Sequence, residues 1–290
     1  MSALLLKGAP AAAALLEKLE SRIANLARRG VVPALAILSV GERPDDRAYA
    51  RSVRAKAEGL GIRVRETCLA EGTHAEVFFA RVEALNQDAA VHGVLCMRPL
   101  PPAYSEERLA ALLAPAKDVD GLSWRSMAAL YAGAGAGGQA PACFAPCTAR
   151  ACVELLDHYG IPLEGKHAVI IGRSLVVGRP LAMLLLARGA TVTLCHSRTE
   201  RPRELCRAAD IVVAALGRAG FVDSGFLRAG QVVLDAGINV RSGGGIAGDV
   251  DGPAAAALVD ALSPVPGGVG AVTTAVLLSQ IVEAAEHHHD

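Results

Sequence analysis

Apolar residues in the first hundred positions alternate between helical and strand spacing. Leu16, Leu19, Ile23 and Leu26 recur three or four positions apart, which predicts an amphipathic helix that ends at Gly30. The pattern then predicts a strand at 33–40, a helix at about 46–60, a strand at 62–69, a helix at 74–86 and a strand at 91–97. Strands that alternate with helices in this way are typical of a parallel sheet covered on both faces.

A second alternating series follows the glycine-rich segment 132–142, which we interpret as a domain boundary. Near-continuous apolar runs predict four strands, at 166–172, 190–196, 209–217 and 230–239. Helical segments separate them, as at 179–188, and a last helix covers about 273–286. We therefore predict an α/β chain of two domains, one formed by 1–143 with the C-terminal helix 273–290 and the other by 144–272.

Charge and cysteine content exclude several classes of protein. Lys and Arg number 29 and so do Asp and Glu, so the chain lacks the basic surface that nucleic-acid binding requires. The 7 cysteines show no paired C-x-x-C spacing, which indicates free thiols in a reducing compartment. Cys143, Cys147 and Cys152 are spaced unlike any standard zinc motif, so we predict no metal site. No apolar run approaches the roughly 18 residues of a membrane span, and we expect a cytoplasmic protein.

The stretch IIGRSLVVGRP at 170–180 has the features of a nucleotide-binding turn with unusual spacing. Gly172 and Gly178 are one residue further apart than in the common fingerprint, and Ser174 holds the middle position. A predicted strand precedes the turn, and Pro180 stands where the first turn of a helix tolerates proline. Strand, glycine turn and helix together direct N–H groups at an anion, which predicts a phosphate site.

The next predicted strand indicates which nucleotide binds. NAD enzymes place an acidic residue at the end of this strand, where it binds the ribose hydroxyls. Here the strand ends in His196, Ser197 and Arg198, a basic and hydroxyl-bearing cluster that suits a 2′-phosphate. We predict NADP as the cofactor, with a merely solvated Arg198 as the alternative.

These segments occur together with PCTARAC, KDVDGL, DAGIN, GDV and PVPGGVG, in an order and spacing that resembles the bifunctional methylenetetrahydrofolate dehydrogenase/cyclohydrolase family. The resemblance runs from about Leu4 to Ala284. It implies two α/β domains that flank a cleft, the second a Rossmann-like NADP domain, in a homodimer. It also implies hydride transfer from 5,10-methylenetetrahydrofolate to NADP and hydrolysis of the methenyl product to 10-formyltetrahydrofolate, without a metal.

The resemblance assigns candidate residues to both ligands. The cofactor residues it implies are Gly172, Arg173, Ser174, Gly178, His196, Ser197, Arg198 and Ile238. The residues implied to bind the tetrahydrofolate substrate are Tyr49, Pro99, Asp120, Pro266, Gly267, Gly268 and Val269. Tyr49 and Asp120 are the catalytic candidates: Tyr49 would stack on the aminobenzoyl ring, and the Asp120 carboxylate would accept adjacent pterin N–H groups.

The chain departs from the family pattern at two positions. Val53 stands where members with both activities carry a lysine, and Met97 stands where they carry its glutamine partner. Loss of both polar groups removes the means of activating water, so we expect weak or absent cyclohydrolase activity. Lys56 or Arg98 could substitute for the missing lysine. A paralogue acting on another folate-borne or folate-derived iminium, and a non-catalytic NADP or folate sensor, remain alternatives.

Overall fold

The computed structural model describes residues 3–133, 143–241 and 244–289, and these form two compact units. The unit formed by Met1–Ala14 and Pro146–Val276 contains a 6-stranded sheet, and the unit formed by Leu15–Ala145 and Leu277–Asp290 contains a 3-stranded sheet. We call them the six-stranded unit and the three-stranded unit. The predicted boundary at 132–142 lies, beyond Gly133, outside the described residues.

The elements follow one another along the chain with these bounds. The strands are β1 (Leu4–Leu5), β2 (Ala34–Val40), β3 (Arg63–Leu69), β4 (Gly93–Cys96), β5 (His167–Ile171), β6 (Thr191–Cys195), β7 (Ile211–Ala214), β8 (Val232–Asp235), β9 (Asn239–Val240), β10 (Ile246–Ala247) and β11 (Ala261–Leu262). The helices are α1 (Gly8–Arg28), α2 (Pro44–Gly59), α3 (Ala75–Gln87), α4 (Glu106–Leu112), α5 (Trp124–Tyr131), α6 (Cys147–His158), α7 (Gly178–Ala187), α8 (Pro202–Ala208), α9 (Gly252–Ala256) and α10 (Val269–His289). Short 3-10 helices lie at Pro115–Lys117 and Ser224–Phe226.

The sheet of the six-stranded unit is parallel throughout, in the order β1-β11-β8-β7-β5-β6. Strand β7 is fully buried, and in β5 and β8 only the first residue is partly exposed, as expected for strands covered on both faces. The chain places β6 on one side of β5 and then crosses to β7 on the other side. Ligands of open α/β sheets bind where the strand order reverses in this way. The predicted α/β class with a Rossmann-like domain is confirmed.

The sheet of the three-stranded unit is also parallel, in the order β3-β2-β4. The central strand β2 is buried except for Ser39, whereas the edge strand β3 carries exposed polar residues. Helix α2 buries Val53 and Ala57, and α3 buries Phe78 and Phe79. Apolar burial on both sides of β2 holds this unit together.

The N-terminal residues differ from the predicted domain assignment. The prediction placed them with 15–143, but Leu4 and Leu5 pair with Ala261 and Leu262 of β11, so Met1–Ala14 belongs to the six-stranded unit. Leu6 is completely buried there. A strand of two residues is too short to produce a periodic signal, which is why the sequence pattern did not predict it.

The last helix, α10, begins at Val269, four residues before the predicted start. By length and composition it is the single helix among the described residues that could cross a membrane, but 72% of an apolar 18-residue stretch within Val269–His288 is buried in the structure. Gln280 lies on its buried face, and the side-chain amide donates to the carbonyl oxygens of Val119 and Ala145. This degree of burial is typical of a core helix.

Candidate active site

The carboxyl ends of four neighbouring strands lie in register at one edge of the six-stranded sheet. Ile171 of β5 pairs with Cys195 of β6 and with Ala214 of β7, and Ala214 pairs with Asp235 of β8. The Gly172 N–H continues the ladder by donating to the Cys195 carbonyl at 2.9 Å. The loops that follow these strands therefore start side by side, and they carry every predicted cofactor residue.

The glycine turn, residues 172–178, requires glycine at both ends for steric reasons. Gly172 has φ +129°, and a Cβ at this residue would lie 2.0 Å from the carbonyl oxygen of Ala215 in the loop after β7. A Cβ at Gly178 would lie 2.0 Å from the carbonyl oxygen of Gly172. The six-residue spacing thus serves a specific close approach between backbone segments.

Ser174 closes the glycine turn from inside. Its Oγ accepts from the backbone N–H groups of Val177 at 3.1 Å and Gly178 at 3.5 Å, at the start of α7. The side chains of Arg173 and Ser174 are exposed. The hydroxyl therefore ties the turn to the residues at the start of α7.

The histidine turn, residues 196–199, follows β6 beside the glycine turn. Its backbone N–H at His196 donates to the Thr199 hydroxyl at 2.8 Å, and the Thr199 N–H donates to the His196 carbonyl at 2.9 Å. Ser197 and Arg198 at its tip are exposed. The predicted 2′-phosphate residues are thus brought next to the predicted phosphate turn, because β5 and β6 are paired.

Two buried aspartates behind this edge were quoted in the motifs DAGIN and GDV but given no role by the sequence reasoning. Asp249, completely buried, accepts from the N–H groups of Leu216, Gly217 and Arg218 after β7 and from the Asn239 amide after β8.

Asp235 accepts from the N–H groups of Gly237, Asp249 and Val250. Burial raises its pKa, and these three N–H donors act in the opposite direction. A Cβ at Gly237 would lie 2.2 Å from Asp249 Cγ, and one at Gly248 would lie 1.8 Å from Asp235 Oδ2. In the sequence, the feature that could have indicated these buried carboxylates is the glycine close to each: Gly237 lies two residues after Asp235, and Gly248 directly precedes Asp249. The exposed Ile238, predicted to contact the nicotinamide, is carried by this framework.

In the three-stranded unit, Asp118 shapes the turn that carries Asp120. Its buried carboxylate accepts from the N–H groups of Leu122 at 2.8 Å and Ser123 at 2.7 Å and from the Ser126 hydroxyl at 2.7 Å. Burial raises the pKa of Asp118 to about 6, although these hydrogen bonds act in the opposite direction. Asp120 is half-buried in the same turn.

The two residues at which the chain departs from the family pattern, Val53 and Met97, are apolar and buried. Val53 is 0% exposed and Met97 is 5% exposed, whereas Tyr49, one turn before Val53 on α2, is 36% exposed. Lys56 is exposed. Arg98 forms an ion pair with Glu106 at 3.1 Å, and the same carboxylate accepts from the Leu100 N–H.

Pro99 and Pro266 both follow cis peptide bonds. Gly267 has φ +99°, and a Cβ at Gly268 would lie 2.5 Å from the Pro264 carbonyl. The backbone of this loop therefore packs closely against other backbone of the protein. Val269 begins α10.

Two cavities border segments that carry predicted residues. A cavity of about 240 Å³ in the three-stranded unit is lined by Met97, Cys68 and Arg51 among others, but not by Tyr49, Val53 or Asp120. A cavity of about 640 Å³ in the six-stranded unit reaches Asp235 but not the glycine turn. The described residues contain no cluster of three or more His, Cys, Asp or Glu side chains suited to a metal ion.

Comparison with known proteins decides the family. Residues 6–120 match the catalytic domain, and residues 146–289 the NAD(P)-binding domain, of the tetrahydrofolate dehydrogenase/cyclohydrolase family. The bifunctional protein FolD of Carboxydothermus hydrogenoformans is 43% identical over 283 residues, which are 97% of this chain and 96% of that protein. The chain belongs to the tetrahydrofolate dehydrogenase/cyclohydrolase family.

Two solved structures of the family are similar over nearly the whole chain. The bifunctional FolD enzyme of Campylobacter jejuni is 35% identical with a TM-score of 0.93, over 98% of this chain and 99% of that one. The FolD enzyme of Trypanosoma brucei, complexed with NADP and an inhibitor, is 32% identical with a TM-score of 0.91, over 99% and 98%. The family resemblance predicted from the motifs is confirmed.

The predicted residues fall in both segments that match the family. All predicted cofactor residues fall in the segment that matches the family's NAD(P)-binding domain, while Tyr49, Pro99 and Asp120 fall in the segment that matches its catalytic domain. Pro266, Gly267, Gly268 and Val269 lie in the NAD(P)-binding segment, although they were predicted for the substrate.

Removal of the Asp249 charge should destabilise the six-stranded unit. Asp249→Asn puts an amide N–H₂ against backbone N–H donors, so we expect a loss of roughly 2 to 4 kcal/mol in the free energy of unfolding, measured in urea. Asp251→Asn is the matched control, because Asp251 is exposed and caps α9, where asparagine serves equally well. Equal losses in both variants would contradict this role.

The ionisation of Asp118 should make stability depend on pH. Burial raises the pKa of Asp118 from 3.8 to about 6 in the folded state. Protonated Asp118 therefore stabilises the folded state fully below pH 3.8, the pKa of the unfolded state, and this stabilisation is lost as pH rises through about 6, the pKa of the folded state. From pH 4 to 7 the unfolding free energy of the wild type should fall, relative to Asp118→Asn, by on the order of 3 kcal/mol. Asp45→Asn, at an exposed carboxylate, gives the background. Parallel curves for the wild type and Asp118→Asn would show that the group does not titrate in this range.

Proposed function

We propose that the protein oxidises 5,10-methylenetetrahydrofolate with NADP and that it hydrolyses the methenyl product weakly or not at all. Family membership over both segments supports the dehydrogenase chemistry. The burial of apolar Val53 and Met97 is the observation that supports a weakened second activity.

The cofactor side of the site fits a dinucleotide. Because Gly172 has no Cβ, the glycine turn can pack against the Ala215 carbonyl at the carboxyl edge of β5, beside the start of α7. Arg173 and Ser174 would hold the pyrophosphate there, and Ser197 and Arg198 would hold the 2′-phosphate with no carboxylate among 196–199 to repel it. The T. brucei relative, complexed with NADP, supports the same cofactor.

NADP supplies the hydride acceptor of this reaction when it is bound. Ile238, 65% exposed on the framework held by Asp249, would pack against the nicotinamide end. Asp120 would fix the pterin through its adjacent N–H donors, and Tyr49 would stack on the aminobenzoyl ring. Pro99 and the loop 266–269 would complete the substrate contacts. Positioning of the two reactants is the main contribution these residues can make.

A weak cyclohydrolase follows from what the catalytic-domain segment lacks. Hydrolysis needs a group that activates water or stabilises developing charge, and Val53 supplies neither. The exposure of Lys56 and the ion pair of Arg98 with Glu106 support the proposal that neither replaces the family lysine. The names of the relatives, which are bifunctional, favour the second candidate function: a cyclohydrolase activity carried by other groups.

The oligomer we propose is a homodimer through the six-stranded unit. Val240 and Ile246 form a cross-strand pair in the hairpin β9–β10, and they are 75% and 46% exposed. Adjacent exposed apolar side chains on a projecting hairpin are typical of an association surface. Free cysteines, five of them buried, fit the reducing conditions of the cytoplasm, which is where we place the protein.

Hydrolysis can be tested with purified protein and methenyltetrahydrofolate. We expect NADPH and methenyltetrahydrofolate to accumulate together from methylenetetrahydrofolate, and hydrolysis no faster than in buffer, because catalysis of that step typically depends on a group worth about 10² to 10⁴ in rate. Val53→Lys with Met97→Gln should create hydrolysis that neither single variant has, since each polar group alone lacks its partner.

Lys56→Ala and Arg98→Ala are the controls for that experiment. Wild-type hydrolysis well above background that is lost in either variant would contradict the weak-cyclohydrolase proposal and identify the replacement cation. Absence of NADPH formation with every folate would overturn the dehydrogenase proposal.

Association can be tested by light scattering of the protein as it elutes from a sizing column. We expect the mass of a dimer for the wild type and of a monomer for Val240→Asp with Ile246→Asp, because charges facing each other in the contact repel. Leu186→Asp, at a 56% exposed leucine of α7, is the matched control. A monomeric wild type would rule out the dimer.

A further inference from the structure

The histidine turn contains a hydrogen bond that neither strand pairing nor the cofactor assignment explains. The backbone N–H of Arg198 donates to Nδ1 of His196 at 3.1 Å. The bond runs from a side chain to the N–H two residues later, which is the arrangement that asparagine and aspartate make in Asx turns. The His196 side chain therefore stabilises the tip of the histidine turn.

The direction of this bond follows from its donor. A backbone N–H can only donate, so Nδ1 of His196 is the acceptor. The ring is half-buried, and its Nδ1 contacts the backbone of Arg198 at the tip of the turn.

Two further bonds make the turn rigid at both ends. The His196 N–H binds the Thr199 hydroxyl at 2.8 Å, and the preceding Cys195 carbonyl accepts from the Gly172 N–H at 2.9 Å. The tip residues Ser197 and Arg198 remain exposed. The position of these two side chains relative to the glycine turn is therefore set by a short chain of hydrogen bonds that passes through His196.

We propose that His196 is a positioning residue for nucleotide selectivity: its Nδ1 acceptor orients Ser197 and Arg198 so that the turn prefers a ribose that carries a 2′-phosphate. The inference rests on the proposed NADP site. In this proposal His196 shapes the turn, and Ser197 and Arg198 contact the phosphate. Preorganisation of the donors reduces the ordering cost that the ligand must otherwise overcome.

Titration calorimetry with 2′,5′-ADP and 5′-AMP isolates the 2′-phosphate from the rest of the cofactor. The wild type should bind 2′,5′-ADP at least about tenfold more tightly, a ratio well within one charge-assisted contact. His196→Leu, which keeps bulk but loses the acceptor, should lower this ratio about fivefold, the size of one net hydrogen bond. His196→Asn should keep it within about twofold, because the amide oxygen can accept from the same N–H.

Thr199→Val and His158→Ala complete the set. Thr199→Val removes the hydroxyl that binds the His196 N–H and should also lower the ratio, so the proposal is tested even if His196→Leu does not fold. His158, exposed at the end of α6, is the matched histidine control and should have no effect.

Three results would overturn the inference. If His196→Leu kept the wild-type ratio of 2′,5′-ADP to 5′-AMP affinity, the bond between His196 Nδ1 and the Arg198 N–H would not orient Ser197 and Arg198. An equal loss in His196→Asn and His196→Leu would show that the ring itself contacts the ligand. A wild type without preference between the two nucleotides would overturn the proposed NADP site, and this inference with it.

Discussion

Contact between two backbone loops at the carboxyl edge of the six-stranded sheet is the constraint on which the nucleotide site depends. Gly172 passes so close to the Ala215 carbonyl that any Cβ would overlap it, and Gly178 packs in the same way against Gly172. These contacts bring the start of α7 down onto the end of β5. The turn therefore lies at the point where the strand order reverses, which is where α/β sheets bind nucleotides.

Buried carboxylates hold the neighbouring loops against this edge. Asp249 links the loop after β7 to the loop after β8, and Asp235 links the end of β8 to the segment that carries Asp249. Backbone N–H groups that would otherwise be unpaired in the interior are satisfied by charge-assisted bonds. In the three-stranded unit Asp118 does the same for the turn of Asp120. The loops that carry the proposed cofactor residue Ile238 and the proposed substrate residue Asp120 are thus held by buried aspartates, and these aspartates need not contact a ligand.

Periodicity predicted the elements that are long enough to repeat. The helix at 46–60 and the strands at 166–172 and 190–196 correspond to α2, β5 and β6 within a few residues. Strands β1 and β11 have two residues each, too few for any period, so the pairing that carries the N-terminus into the six-stranded unit could not be predicted. The roles of Asp235 and Asp249 were hidden for a related reason. Their donors come from loops distant in sequence, and only the adjacent glycines hint at the close contacts.

We propose that the glycine and histidine turns together hold NADP. A crystal structure of the protein with NADP would show whether they do. We predict the pyrophosphate against the backbone of Gly172 to Ser174 and the 2′-phosphate within hydrogen-bonding distance of Ser197 or Arg198, with the His196 Nδ1 bond to the Arg198 N–H intact. A nucleotide whose adenosine ribose lies away from residues 196–199 would contradict the account.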